Sequence, residues 1–183
     1  MVTPNGIERV FEPHEVIVSK TDPKGIITYA NRVFCKVAGY EERELLGKPH
    51  NIIRHPDMPR GAFKLLWDRL AGGHEVFAIV LNLARDGYHY WVLAHVTPSY
   101  APDGTLVGYH SNRRLPPREM IAALQPIYKQ MLDLEATIPN PKQAAQASCN
   151  HLLGLLDSLG TDYDRFFFHT LGGILDRELA ARA

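Results

Sequence analysis

Between Gly47 and Phe63 the chain reads GKPHNIIRHPDMPRGAF, and its reactive side chains crowd together: His50, Arg54, His55 and Asp57. Two imidazoles and a carboxylate are types that suit zinc or iron. The spacing His-x4-His-x-Asp, however, is not an established ligand pattern, and Pro49, Pro56 and Pro59 scatter the side-chain directions. No metal site is expected. Arg54 is instead a candidate grip on an anionic group, with His55 and Asp57 as local supports. Arg54 and Asp57 could equally pair and cap neighbouring short helices, and a rigid loop of that kind is what a preorganised pocket wall needs. Cys35 and Cys149 lie far apart and outside any Cys-x-x-Cys, so reduced thiols are expected rather than a disulfide or zinc knuckle. No G-x-S-x-G, H-E-x-x-H or P-loop occurs, and the expectation is a protein without catalytic residues.

The chain around this cluster has 183 residues, enough for one domain and an additional element. Apolar residues form 45% and charged residues 22%, the balance of a globular protein that buries a core. Twenty basic side chains cancel twenty acidic ones, which argues against nucleic acid or an anionic membrane as partner. The N-terminal stretch does not read as a signal peptide. The longest apolar run, Val76 to Leu81, is too short to cross a bilayer. A soluble, cytoplasmic protein is expected.

The elements that must position the cluster follow from the pattern of apolar residues. Val16 to Val18 and the run IITYA flank Asp22-Pro23-Lys24-Gly25, a hairpin signal. Asn31 can cap a helix that ends at Gly39, and EERELLG gives a second short helix. Three prolines exclude a long helix in the opening stretch. Phe63, Leu66, Trp67 and Leu70 recur at helical spacing up to Gly72. Three strand candidates follow: EVFAIVLNLA, YHYWVLAHVTPSY and TLVGYHSNRRL. On the middle one Tyr90, Val92, Ala94 and Val96 form a clean apolar face, expected to look into the core, with Tyr90 and Val92 as candidate ligand contacts. After Pro116-Pro117 only helices are expected. The first contains Pro126, the second carries Leu152 to Leu159, and the third has a stripe of Tyr163, Phe166, Phe167, Leu171, Ile174, Leu175 and Leu179.

Two strands, short helices, a longer helix and three strands is the order of a PAS domain. ITYAN, GYEERELLGKPHNIIRHPDMPRGAF, DGYHYWVLAHVTP and LVGYHSNR resemble the flavin-binding PAS domains of bacterial aerotaxis receptors. The resemblance covers about residues 15–132, with PHNIIRHPDMP its most specific part, and extends to IAALQPIYKQ. It implies an α+β PAS fold, a five-stranded antiparallel sheet with short helices over one face and a C-terminal helical extension. Residues 1–14 would be an N-terminal cap, 15–116 the sensor domain and 117–183 the extension.

It also implies non-covalent FAD and redox or oxygen sensing. Carried over by motif, Arg54, His55 and Asp57 belong to the flavin-retaining loop, Asn31 opens a pocket-lining helix, and Asn82 offers an amide to the pyrimidine edge. Alternation from Leu106 and Gly108 adds His110, expected to face the flavin's N5 edge. The chain departs from the family in GGHEVFAIV, where Val76 and Phe77 stand in the neighbourhood of a tryptophan, and in Leu83-Ala84-Arg85, where basic residues are usual. Phe77 would restore the aromatic contact. Haem, which other PAS domains hold through one histidine, with His55, His95 and His110 as candidate axial ligands, or no cofactor, is the alternative to FAD. A signalling partner protein and, by analogy, a homodimer are the expected partners.

Overall fold

The computed structural model describes residues 2–173. Strands β1 Ile17–Thr21, β2 Ile27–Ala30, β3 Val76–Leu83, β4 His89–Tyr100 and β5 Leu106–Arg114 form one antiparallel sheet, ordered β2-β1-β5-β4-β3. The first hairpin closes on Asp22, whose Oδ1 accepts from the amides of Lys24 and Ile26, while Gly25 supplies the φ of +79° that the turn requires. Helix α1 Arg32–Ala38 starts at Asn31 and stops at Gly39, and α2 Glu42–Leu45 carries a Glu41–Glu44 capping box. The proline-rich stretch makes only a single 3-10 turn, His50–Ile53, before α3 Arg60–Ala71 begins. Sheet, hairpins and short helices are those expected from the sequence.

The chain divides into two compact units. The first holds the chain up to Pro56 together with Arg69–Leu115. On one face of the sheet Ile17, Ile27 and Tyr90 are buried, as are Phe34, Leu45 and Ile53 of the short helices, and on the other face Ile79, Leu81 and Trp91 are buried too. Each such side chain contributes about 2 kcal/mol on leaving water. An N-terminal strap runs along the β3–β4 hairpin: Asn5 donates to Gly87, Ile7 accepts from His89, and Arg9 donates to His89 through backbone bonds of 2.7–3.0 Å. Arg9 then ties the strap to α1 and the hairpin turn, donating to Val37 O at 2.8 Å and pairing with Asp86 at 2.5 Å.

The second unit contains Asp57–Asp68 and the chain from Pro116 onward, so the first part of α3 groups with the C-terminal helices rather than with the strands around it in sequence. Helix α4 Arg118–Ala136 keeps Pro126 inside it, and α5 Pro141–Ser158 begins at Asn140, whose side chain accepts from the amides of Lys142 and Gln143. Met120, Leu124 and Met131 of α4 and Ala144, Leu152 and Leu156 of α5 are buried. The third helix differs from expectation. A single turn, α6 Tyr163–Arg165, passes into a π-helical stretch, Phe166–Leu171, in which Phe166 and Phe167 are buried and Phe168 is half-exposed. The wider π turn breaks the 3.6-residue stripe. Ile174, Leu175 and Leu179 lie outside the described residues. Among the described residues no helix is long and apolar enough to cross a membrane.

Candidate functional site

Strand register decides which side chains share the core face of the sheet. Val92 of β4 pairs with Val80 of β3, Ala94 with Ala78 and with Arg113 of β5, and Arg113 with Ile17 of β1. Tyr109, Ser111 and Arg113 therefore share this face with Tyr90 and Val92, as Ser19 does from β1. The clean apolar face of β4 does look into the core, as expected.

At the centre of that face is a buried arginine. Arg113 is 3% exposed and its guanidinium lies 4.9 Å above the Phe34 ring. Its Nε donates to Ser111 Oγ at 3.1 Å. Its Nη2 donates to Ser19 Oγ and, at 2.8 Å, to His50 Nε2. His50 stacks on Phe34 with ring centroids 5.8 Å apart, so a single aromatic ring supports both the imidazole and the guanidinium. Burial, and then the adjacent positive charge of Arg113, hold the His50 pKa well below 6.5. The imidazole is thus neutral, and since Nε2 accepts from Arg113 its proton sits on Nδ1. Burial also brings the Arg113 pKa from 12.5 down to about 10, which leaves the group charged at neutral pH.

The cluster is not self-sufficient. Arg113 Nη1 is buried and has no hydrogen-bond partner, and the hydroxyl of fully buried Tyr90 has none either. Among the described residues no carboxylate pairs with Arg113. Stranded buried donors cost about 1–3 kcal/mol each, and an uncompensated buried cation more. With Ser19, Ser111 and Asn82 they form a polar patch beside Val92 and Ala94 on this face.

The expected site residues fall into place unevenly. Arg54 and Asn82 are brought together by an isolated antiparallel bridge, and Asn82 is buried opposite Tyr90. A second bridge, Ile26 to Pro49, holds the start of the same loop. His55 is 4% exposed, with its ring edge-on to His89 at 5.9 Å at the end of the β3–β4 hairpin. Asp57 is exposed and opens the second unit. Asn31 is spent on structure: it accepts from Phe34 and Val18 and donates to Val16, at 2.8–3.0 Å.

His110 is a correction. It shares parity with Gly108, as read from the sequence, but that parity points away from the core face. Its neighbours are Lys20 and Thr97, and its Nε2 meets Asn112 Oδ1 at 3.2 Å. Phe77 is corrected for the same reason. It stacks on His95 at 4.1 Å on the outer face, where His95 also meets Glu75 at 2.7 Å, while Val76 points inward. Neither His95 nor His110 can serve a ligand on the core face. Sequence reasoning missed Arg113, Ser19 and His50 as a set. The signal was period-2 alternation in GYHSNRR, read one residue out of phase.

Apolar Val92 and Ala94 sharing a face with the unspent donors of Arg113 and Tyr90 and with the Asn82 amide are groups that suit an aromatic ligand whose edge carries several hydrogen-bond acceptors. A flavin ring system fits that description.

Comparison with known proteins agrees with the geometry. A family model described as PAS fold matches residues 7–111. The chain is 44% identical over 113 residues to the aerotaxis receptor of Escherichia coli K12, covering 62% of this chain and 22% of that protein. It is 33% identical over 105 residues to a nitrogen fixation regulatory protein of Klebsiella pneumoniae, covering 57% of this chain and 21% of that one. The chain thus spans about a fifth of the length of these relatives. A solved light-oxygen-voltage domain, studied with a flavin analogue, superposes with a TM-score of 0.54 at 21% identity, covering 63% of this chain and 86% of that one.

Proposed function

The chain belongs to the PAS fold family, and from that premise we propose that it is a sensor that holds FAD non-covalently and passes its redox state, or the oxygen level that sets it, to a partner protein. One observation carries the reading: a buried arginine with two unspent N–H groups and no counter-charge, on the face where the family's sheet receives its ligand. A bound flavin supplies reversible uptake of electrons and protons, which changes charge and hydrogen bonding at its ring edge.

The residues divide the work. Arg113 donates from Nη1 to the ligand edge, and its charge favours whichever ligand state is more negative. Ser19, Ser111 and neutral His50 hold the guanidinium in place. Asn82 offers both a donor and an acceptor, and Tyr90 a hydroxyl. Val92 provides apolar contact for the ring, and Arg54, with His55 behind it, serves the anionic part of the dinucleotide. Asn31 and Asp57 act through the backbone of the neighbouring helices and loop. The protein works in the cytoplasm as a homodimer and catalyses no reaction of its own. Haem is not supported, because two of its three candidate histidines stand on the other face.

The test is direct. The 183-residue chain purified under native conditions and then heat-denatured should release FAD, identified by mass. Release of another cofactor, or of nothing from protein that was offered FAD while folded, overturns the proposal and leaves a cofactor-free interaction module.

A further inference from the structure

The hydrogen bonds around Arg113 leave one acceptor over-subscribed. Arg113 Nη2 donates to Ser19 Oγ and, at 2.8 Å, to His50 Nε2, while Ser19 Oγ itself lies 3.2 Å from the same imidazole nitrogen. A neutral imidazole has a single lone pair there, and two donors compete for it: the guanidinium N–H and the serine hydroxyl. A proton on Nε2 resolves the competition. The imidazolium N–H then donates to Ser19 Oγ, an acceptor already in place, and Arg113 releases the ring. The triangle thus has two hydrogen-bonded arrangements that differ by one proton. The groups against the imidazole are Arg113 of β5, Ser19 of β1 and Phe34 of α1, which stacks on it. Among the described residues no carboxylate pairs with His50 or Arg113. The Tyr90 phenol of β4 acts on Arg113, and burial keeps that phenol protonated.

We propose that His50 is the proton acceptor of the ligand site, taking up one proton when a flavin beside Arg113 is reduced. The proposal rests on the ligand reading above. Reduced flavin carries a negative charge on its ring near neutral pH. Two electrons from a reductant such as dithionite and one proton go to the ring, and His50 Nε2 takes a second proton from water. The ligand's charge attracts the guanidinium, whose Nη1 hydrogens have no protein acceptor. It also offsets the second of the two causes, burial and then the Arg113 charge, that keep His50 neutral. Protonation exchanges the bond from the His50–Ile53 turn to β5 for a bond from that turn to β1. The redox state of the ligand is thereby written into contacts between strands and loop. The coupling is reciprocal, so lower pH favours the reduced ligand.

The experiment uses the 183-residue chain, labelled at histidine nitrogen for NMR, without flavin, with oxidised FAD and with FAD reduced by dithionite under anaerobic conditions. The His50 signals are those absent from His50→Gln. Without flavin and with oxidised FAD they should report a neutral ring with its proton on Nδ1. A unit charge within about 12 Å, at a protein dielectric of about 20, changes proton affinity about tenfold. Reduced FAD should therefore raise the proton affinity of His50 by about that factor, read as a shift of its titration. Binding should mirror the shift. Between about pH 8 and about pH 6, the preference for reduced over oxidised FAD should grow about tenfold more in wild type than in His50→Gln. The glutamine oxygen still accepts from Arg113, and ionisation of free flavin cancels in the comparison. A His50 titration identical in both redox states, or equal pH dependence in the variant, overturns the proposal and leaves the ligand reading standing. A chain that takes up neither form of FAD fails the ligand reading, and the proposal with it.

Discussion

Replacing Arg113 with methionine separates what the guanidinium does for the fold from what it does for a ligand. Keeping a cation at 3% exposure without a carboxylate costs several kcal/mol, and the same burial lowers its pKa to about 10. Opposing that cost are hydrogen bonds to Ser19, Ser111 and His50, each worth about 1.5–3 kcal/mol for a charged donor. In Arg113→Met, Ser19 Oγ and His50 Nε2, already 3.2 Å apart, can satisfy each other, and the thioether can occupy the space over Phe34. Loss and recovery are therefore of similar size, and the unfolding free energy without ligand should stay within about 1 kcal/mol of wild type. Ligand binding has no such compensation. The two Nη1 hydrogens have no protein acceptor to lose, so their contribution goes to the ligand. One charge-assisted bond, about 1.5–3 kcal/mol, corresponds to an FAD affinity about 10- to 150-fold weaker. Urea unfolding and flavin fluorescence titration read the two quantities on one preparation. If Arg113→Met binds FAD as wild type does, or unfolds about 3 kcal/mol more easily with affinity unchanged, the guanidinium serves the core alone and the reasoning is refuted.

Further outcomes follow from the same geometry. His50 has its pKa depressed by burial and by Arg113, so below about pH 6.5 the unfolded chain binds a proton that the folded chain does not. Stability should fall with pH there by up to about 1.4 kcal/mol per unit, and His50→Gln should flatten that slope in urea midpoints taken at pH 7.5 and 5.5. An identical slope in the variant would contradict the assignment. His110→Ala should leave flavin content and affinity unchanged within about threefold, since the ring faces away from the site. A colourless His110→Ala protein would restore the inward orientation that the strand register rejects. Gly108 has φ +153°, and a β-carbon there would collide with the Thr21 carbonyl, so Gly108→Ala should cost about 3 kcal/mol and lower Tm by about 6–12 °C in a calorimetric scan.

Much of the fold could be read from the sequence because local chemistry and global pattern agree. Asp22 to Gly25 makes the first turn, Asn31 and Gly39 bound α1, and alternation in YHYWVLAHV separates the face of Tyr90 and Val92 from that of Trp91 and His95. The site was legible only in part. The loop motif pointed to Arg54 and the strand pattern to Asn82, and the structure joins them. Strand β5 was misread because Gly108 and the register shift after Ser99 remove the apolar marker that would fix its parity. A one-residue slip of phase exchanges His110 for Arg113. Alternation read in the right phase would have turned Arg113 inward, but its cluster could not be assembled from sequence, since Ser19 and His50 lie 94 and 63 residues away.

The central claim is that the face around Arg113 holds a flavin, and its most direct measurement is a titration of FAD with the folded chain, followed by quenching of flavin fluorescence. The account predicts saturable quenching at one flavin per chain, with the bound flavin recovered unmodified on denaturation. Unquenched, freely dialysable flavin in the presence of folded protein would contradict it.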